Sequence, residues 1–290
     1  PMVSVIENNK NLGFAKANNQ AIKLFKTPFL VLCNPDIVLE KNWLETIMSQ
    51  AENPELADFG VFGGKLLKLK MINLETGETE KTEKIDSCGL QIQKNHRAVE
   101  RGAGQDASDY TDDQEVFGHS GALILIKREA LDSIILLDRF HSAGDFFDGS
   151  FFFYKEDVDL AWRLRLAGIR SYFVASAEAY HLRTFSGSET DNWRELMTKR
   201  KRQNILARYY SYRNHLLILF EDLFIANWFY YAPYICWLEL KKFFYVVFFE
   251  TKNLLAWWEI IKMLPEIKAK RKRIFSQSVI KAGDLRKWIN

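Results

Sequence analysis

The stretch Asn11–Asp36, NLGFAKANNQAIKLFKTPFLVLCNPD, decides the architecture. Ala15, Ala17, Ala21, Ile22, Leu24 and Phe25 predict a helix beginning near Gly13, with Pro28 closing the connection that follows. Phe29 to Cys33 is a continuous apolar run, the pattern of a strand buried on both faces, and it ends in Asn34-Pro35-Asp36. Upstream, Val3 to Ile6 reads as a short strand leading into an Asn-rich turn at 8–11. Downstream, a second helix is expected from about Lys41 to Ala51. Strand, helix, strand, helix predicts an α/β domain with a mostly parallel sheet flanked by helices. Ligands of such sheets sit beyond the carboxyl ends of the strands, and Asp36 lies at one of those ends.

The chain has 290 residues, enough for one large domain or a domain with an appendage. Hydrophobic residues at 48% and charged residues at 27% exclude wholesale disorder. A net charge of +3 does not by itself point to a nucleic-acid partner, and the basic cluster Lys268, Lys270, Arg271, Lys272, Arg273 is short and carries no DNA- or RNA-binding motif. Cys33, Cys88 and Cys236 are dispersed, without zinc spacing, and fit a reducing compartment. The opening PMVSVIENNKN has neither the basic nor the apolar region of a signal peptide, so a cytoplasmic location is expected.

Farther along, Val61 to Leu69 reads as a strand, Asn73 to Asp86 as a polar turn or excursion, and Arg101 to Glu115 as a surface loop. Gly121 to Lys127 is a second buried-strand candidate, Arg128 to Ile135 the start of a helix, and Arg170 to Ala175 a strand leading to Ala179-Tyr180-His181. Between them lies SFFFYKEDVDLAWRLRLAG, Ser150–Gly168, where an aromatic run meets Glu156, Asp157 and Asp159. Two readings compete. Acidic side chains suit the first turn of a helix, with Asp159 and Arg163 as an i,i+4 pair; equally, carboxylates at the mouth of a buried element suit chemistry. Three clustered acids also admit the two-carboxylate arrangement of a glycoside hydrolase, which leaves Asn-Pro-Asp and the strand-helix opening unexplained.

From about Trp193 the composition changes. Leu223 to Leu238 is uncharged but too short to span a bilayer. Phe243, Phe244, Phe248, Phe249, Leu254, Leu255, Trp257 and Trp258 then alternate with Lys241, Lys242, Lys252 and Lys262. That mixture fits helices lying in a membrane interface, and it fits helices packed on the main domain.

Together the pieces resemble family 2 glycosyltransferases, and more narrowly a rhamnosyltransferase-like group. The resemblance rests on Asn11-Leu12-Gly13-Phe14-Ala15 with Asn18 and Asn19, on Asn34-Pro35-Asp36, and on Ser120-Gly121-Ala122 before Lys127-Arg128. It continues through Phe151 to Arg163, His181 and Arg213-Asn214. It implies a GT-A-type, Rossmann-like fold over residues 1–192, followed by a helical, aromatic and basic region over 193–290. It also implies inverting transfer from a nucleotide-sugar donor, with dTDP-rhamnose the first expectation and a UDP-sugar its rival, to a glycan or lipid-linked acceptor in surface-polysaccharide synthesis at the inner face of the plasma membrane.

The same resemblance assigns roles. Asp157 becomes the base and Glu156 its acidic neighbour, orienting the acceptor. Asn11, Gly13, Asn18, Asn34, Gly121 and Ala122 line the donor; Asp36 and His181 hold Mg2+ or Mn2+, an imidazole favouring manganese. The Asn-rich turn also reads as a helix N-cap with a glycine turn, and Gly121 and Ala122 as packing residues. Members normally open with a further strand, helix and acidic turn that hold the base and ribose, which leaves this chain resembling a piece without that unit, and a non-catalytic, membrane-associated glycan-binding or scaffold relative is the alternative. The segment Leu137 to Ser150 is longer than the usual turn before the acidic motif, with Phe147-Asp148 its expected remnant.

Overall fold

A computed structural model of the chain describes residues 3–73, 75–136, 145–182 and 204–290. In order, it contains α1 (Phe14–Leu24), β1 (Phe29–Cys33), β2 (Ile37–Leu39), α2 (Trp43–Ala51), β3 (Phe59–Asn73), β4 (Glu78–Ser87), β5 (Leu90–Ile92) and β6 (Ala98–Glu100). There follow β7 (Gln114–Val116), β8 (Leu123–Lys127), α3 (Arg128–Asp132), α4 (Glu156–Leu166) and β9 (Arg170–His181). The C-terminal part is helical: α5 (Ile205–Glu221), α6 (Ile225–Tyr230), α7 (Ala232–Phe249) and α8 (Leu255–Ser276).

The α/β architecture expected from the opening stretch is present. The central sheet runs β1-β8-β3-β9-β2, with β4 also paired to β3 and β7 to β9. Its most extensive pairing, β3 with β9, is parallel, from Phe59↔Arg170 to Lys68↔His181. The flanking pairs, β1 with β8, β3 with β8, β2 with β9, β3 with β4 and β7 with β9, are antiparallel. On one face, Ala15 and Ile22 of α1 join Val61, Ile124, Ile126, Leu131, Leu160 and Leu164. On the other, Trp43, Ile47 and Ala51 of α2 cover Phe62, Leu66, Leu125 and Val174. Helices therefore bury both faces.

Where the expected elements shift, the cause is tertiary. Leu123 to Ile126 are all at most 2% exposed, so the doubly buried strand is β8. β1 stands at the end of the strand order: Val31 is 38% exposed and Cys33 is exposed, because among the described residues this strand has a neighbour on one side. Val3 to Ile6 is exposed coil, since an isolated extended segment gains neither a ladder nor apolar cover. The polar stretch Asn73 to Asp86 is mostly strand: β4 folds back on β3 as a ribbon whose distal part is exposed on both faces, which removes the apolar alternation by which strands are recognised. The loop 101–115 ends in β7, which pairs with β9.

α4 is the pivot. One side of it faces the sheet; the other contributes Val158, Ala161, Trp162 and Leu166 to a core shared with Tyr212, Leu216 and Leu217 of α5, Val246 of α7, and Ala256 and Ile260 of α8. Trp162 is 1% exposed, with its ring centroid 4.8 Å from that of Phe117, so it is a core residue. The C-terminal helices are thus packed on the main domain. Among the described residues no helix is long and apolar enough to cross a membrane. The expected boundary near 192 and most of the segment 137–150 lie outside the described residues; of the latter, Phe147 and Asp148 are both buried.

Candidate active site

Asp157 stands in the first turn of α4, whose N-cap, Lys155, makes no side-chain cap hydrogen bond. Its Oδ2 accepts a hydrogen bond from the Gly121 N–H at 3.0 Å, and its Oδ1 accepts from Val158 N–H at 2.8 Å. Gly121 permits this approach, because a Cβ there would lie 3.1 Å from the Asp157 Cβ. The next residue, Ala122, accepts at its carbonyl from Asn34 N–H at 2.8 Å, which ties the end of β1 to the start of β8. Two residues on, Asp36 meets the end of β9: its carbonyl accepts from Leu182 N–H at 3.0 Å, and its Oδ1 is 3.5 Å from His181 Nε2.

Hydrogen bonds and short backbone links therefore connect Asp157 through Gly121, Ala122 and Asn34 to Asp36 and His181. His181 is 6% exposed, and its Nδ1 lies 2.8 Å from Asp86 Oδ2. Asp86, 3% exposed at the end of β4, holds the imidazole by that nitrogen and leaves Nε2 directed at Asp36. A carboxylate-anchored histidine beside a second carboxylate is a fitting donor set for a divalent ion. Sequence reading missed Asp86, because it lies in the stretch taken for a turn and nothing local marks it.

At the start of α1, Gly13 has φ +78°, and a Cβ there would run into the carbonyl oxygen of Phe152. Phe14 N–H donates to that carbonyl at 2.9 Å, so the Asn-rich turn is docked against the aromatic run before the acids. Asn11 Oδ1 accepts from Gly13 N–H at 2.9 Å, and Asn18 Nδ2 donates to Phe14 O at 3.0 Å; both side chains brace the turn and the first helix. Asn11 braces the glycine turn, Asn18 bonds within α1, and the helix N-cap is Gly13 without a side-chain cap. Asn19, quoted above only as part of the motif, is buried and bonds Phe146 N, Phe147 N and Phe147 O, fixing the segment that leads to Asp148.

The three carboxylates of α4 have separate environments. Glu156 is 9% exposed, with Oε2 buried and without a hydrogen-bond partner among the described residues. Burial, reinforced by the Asp157 charge, pushes its carboxyl up to about 8. Asp159 is fully buried and forked onto Arg163 at 2.7 and 2.9 Å, the scaffold pair expected from their spacing. Burial also lowers Lys155 to about 8, with the Lys242 charge adding to the effect.

Asp148, Asp159 and Glu221 bring carboxylate oxygens within 4.8 Å of one another. The Lys270 ammonium already sits among them, 2.7 Å from Asp148 Oδ2, 2.8 Å from Glu266 and 3.6 Å from Glu221. That cluster is a buried internal ion site joining α4, α5 and α8.

The model of the glycosyltransferase-like family 2 matches residues 1–204. No curated protein matches the chain. Among solved structures, that of GalNAc-T7 with UDP, GalNAc and Mn2+ is 13% identical, covering 61% of this chain and 31% of its own at a TM-score of 0.45. The mannosyltransferase PcManGT from Pyrobaculum calidifontis, in complex with GDP-Man and Mn2+, is also 13% identical, covering 98% of this chain and 69% of its own at a TM-score of 0.36. The chain thus spans under a third of the first of these and about two thirds of the second.

Proposed function

Because the chain belongs to the glycosyltransferase-like family 2, we propose that it moves a sugar from a nucleotide-diphosphate donor to a hydroxyl of a glycan or lipid-linked acceptor, with inversion at the anomeric carbon. The observation that carries the reading is the series of contacts from Asp157 through Gly121, Ala122 and Asn34 to Asp36 and His181. It gathers at one end of the sheet a carboxylate for proton removal, small residues beside it, and a carboxylate–histidine pair.

Asp157 takes the proton from the acceptor hydroxyl. Its Oδ2 is held by the Gly121 N–H, which fixes the direction in which the carboxylate presents its remaining lone pairs. Glu156, kept neutral near pH 7 by burial, orients the acceptor as a hydrogen-bond donor. Asp36 and His181 would hold Mn2+ or Mg2+, which, when bound, supplies positive charge to the leaving diphosphate. Asn11 and Gly13 shape the donor side through the turn pressed on Phe152. We extend the proposal to dTDP-rhamnose as donor, to surface-polysaccharide synthesis, and to work at the inner face of a membrane. The support for the last is the exposed aromatic and basic surface of α7 and α8.

The test incubates the protein with manganese and a panel of nucleotide sugars and measures nucleotide release with and without acceptor. Metal-dependent release is expected; silence across the panel favours a binding or scaffold role. In an active preparation Asp157→Asn is expected to lower turnover by about 10²-fold or more while donor binding survives. Transfer near the unaltered rate removes Asp157 from the base role.

A further inference from the structure

The helix that carries Asp157 starts from a turn it cannot hold by itself. Tyr154 and Lys155 both have φ +68°, two consecutive non-glycine residues in the left-handed region, where a Cβ crowds the backbone. Lys155 makes no capping hydrogen bond. The missing support comes from α5, some sixty residues away. Asn214, 0% exposed, donates from its single Nδ2 to two successive carbonyls, Phe153 O at 3.0 Å and Tyr154 O at 2.7 Å. Its Oδ1 accepts from Arg213 Nη1 at 2.8 Å, which fixes the orientation of the amide. The same guanidinium nitrogen donates to Ser150 O at 2.9 Å, and Arg213 Nη2 is anchored by Glu259 of α8 at 3.0 Å.

We propose that Asn214 is a positioning residue for the transfer reaction, clamping the left-handed Tyr154–Lys155 turn so that Asp157 is presented to the acceptor while its other anchor, Gly121, holds the carboxylate. The two hydrogens on one amide nitrogen satisfy two adjacent carbonyls at once, and an aspartate there would turn an acceptor toward two acceptors. Arg213 serves the clamp by setting the amide. The inference rests on the glycosyl-transfer reading for its kinetic consequence, but its structural half does not.

Two measurements separate these. Hydrogen exchange of the full chain reads the turn directly: in Asn214→Ala the amides from Tyr154 to Val158 are expected to exchange about tenfold faster, with β3 and β8 unchanged. Steady-state kinetics read the consequence: kcat falls by about 10- to 100-fold while the donor KM stays within about twofold. Tyr154→Gly relieves the left-handed strain, so adding it to Asn214→Ala is expected to recover at least half of the lost kcat on a logarithmic scale, which a general loss of packing cannot do. Should Asn214→Ala not fold, Asn214→Ser, which keeps one donor, is read in its place with intermediate effects. Unchanged exchange in this segment, or an unchanged kcat in an active enzyme, overturns the proposal. If the unaltered protein turns over no donor, the transfer reading fails, and the exchange result still decides the clamp.

Discussion

Glu156 and Asp157 are adjacent carboxylates in unlike surroundings: one has a buried oxygen with no partner among the described residues, the other is anchored by two backbone N–H groups. The difference has a signature in stability. An unfolded Glu156 ionises near 4.5, whereas in the folded protein it keeps its proton to about 8. Between those values folding takes up a proton, so this group's contribution is full at low pH and is lost as pH rises through that window. Glu156→Gln needs no proton and is expected to gain on the unaltered protein by on the order of a few kcal/mol between pH 4 and pH 8. Urea denaturation at the two pH values checks this, and an equal difference at both would count against it. The Asp86 carboxylate sets the direction of His181, so Asp86→Asn is expected to weaken manganese binding by about 10- to 100-fold in a calorimetric titration. Asp36→Ala should weaken it further; unchanged isotherms for both variants remove the ion from this site.

At the scale of elements, α7 and α8 each have two faces. Ile235 and Val246 of α7 and Ala256, Ile260 and Ile267 of α8 are buried against α4 and α5. On the other side, Trp237, Phe244, Phe248 and Phe249 of α7 and Leu255, Trp258 and Ile261 of α8 are all at least half exposed. Trp237, Lys241, Phe244 and Phe248 follow one another at three- and four-residue spacing along one stripe, with the Lys241 ammonium 4.6 Å from the Trp237 ring. Lys262 sits 3.3 Å over the Trp258 ring. The packed and the membrane-facing readings of these helices are therefore compatible, one for each face. Flotation with anionic vesicles is expected to recruit the protein, less so at high salt, and Phe248→Ser with Trp258→Ser to reduce the bound fraction at least about tenfold. Equal indifference to anionic and neutral vesicles sinks the membrane proposal.

Across the whole molecule, the acidic helix is held between the sheet and the C-terminal helices by charge as well as by apolar packing. Lys270 of α8 reaches Asp148 and donates to Ser150 Oγ at 2.7 Å, inside a core from which water is excluded. Burial by itself lowers its affinity for the proton, but the Asp148, Glu221 and Glu266 charges outweigh that and hold the ammonium well above its ordinary value. Lys270→Ala withdraws this buried ammonium from Asp148, Glu221 and Glu266 together and is expected to cost about 3–5 kcal/mol in urea unfolding. A loss under about 1 kcal/mol would mean that the network is not what couples α8 to the acidic motif.

Local patterns carried the architecture and pointed to several candidate site residues. Helical spacing from Ala15 to Leu24 predicted α1, the apolar run before Asn34-Pro35-Asp36 placed Asp36 past a strand end, and the acids after Phe151–Tyr154 marked the start of α4; each signal lies within a few residues of chain. What local patterns could not contain is which ends meet. Asp86 holds His181 across 95 residues, Asn214 holds Tyr154 across 60, and Gly121 holds Asp157 across 36. Those pairings follow from the order of strands in the sheet and from the packing of α5 and α8 on α4, and a buried polar side chain finds its partner only once the rest of the core has excluded water from around it.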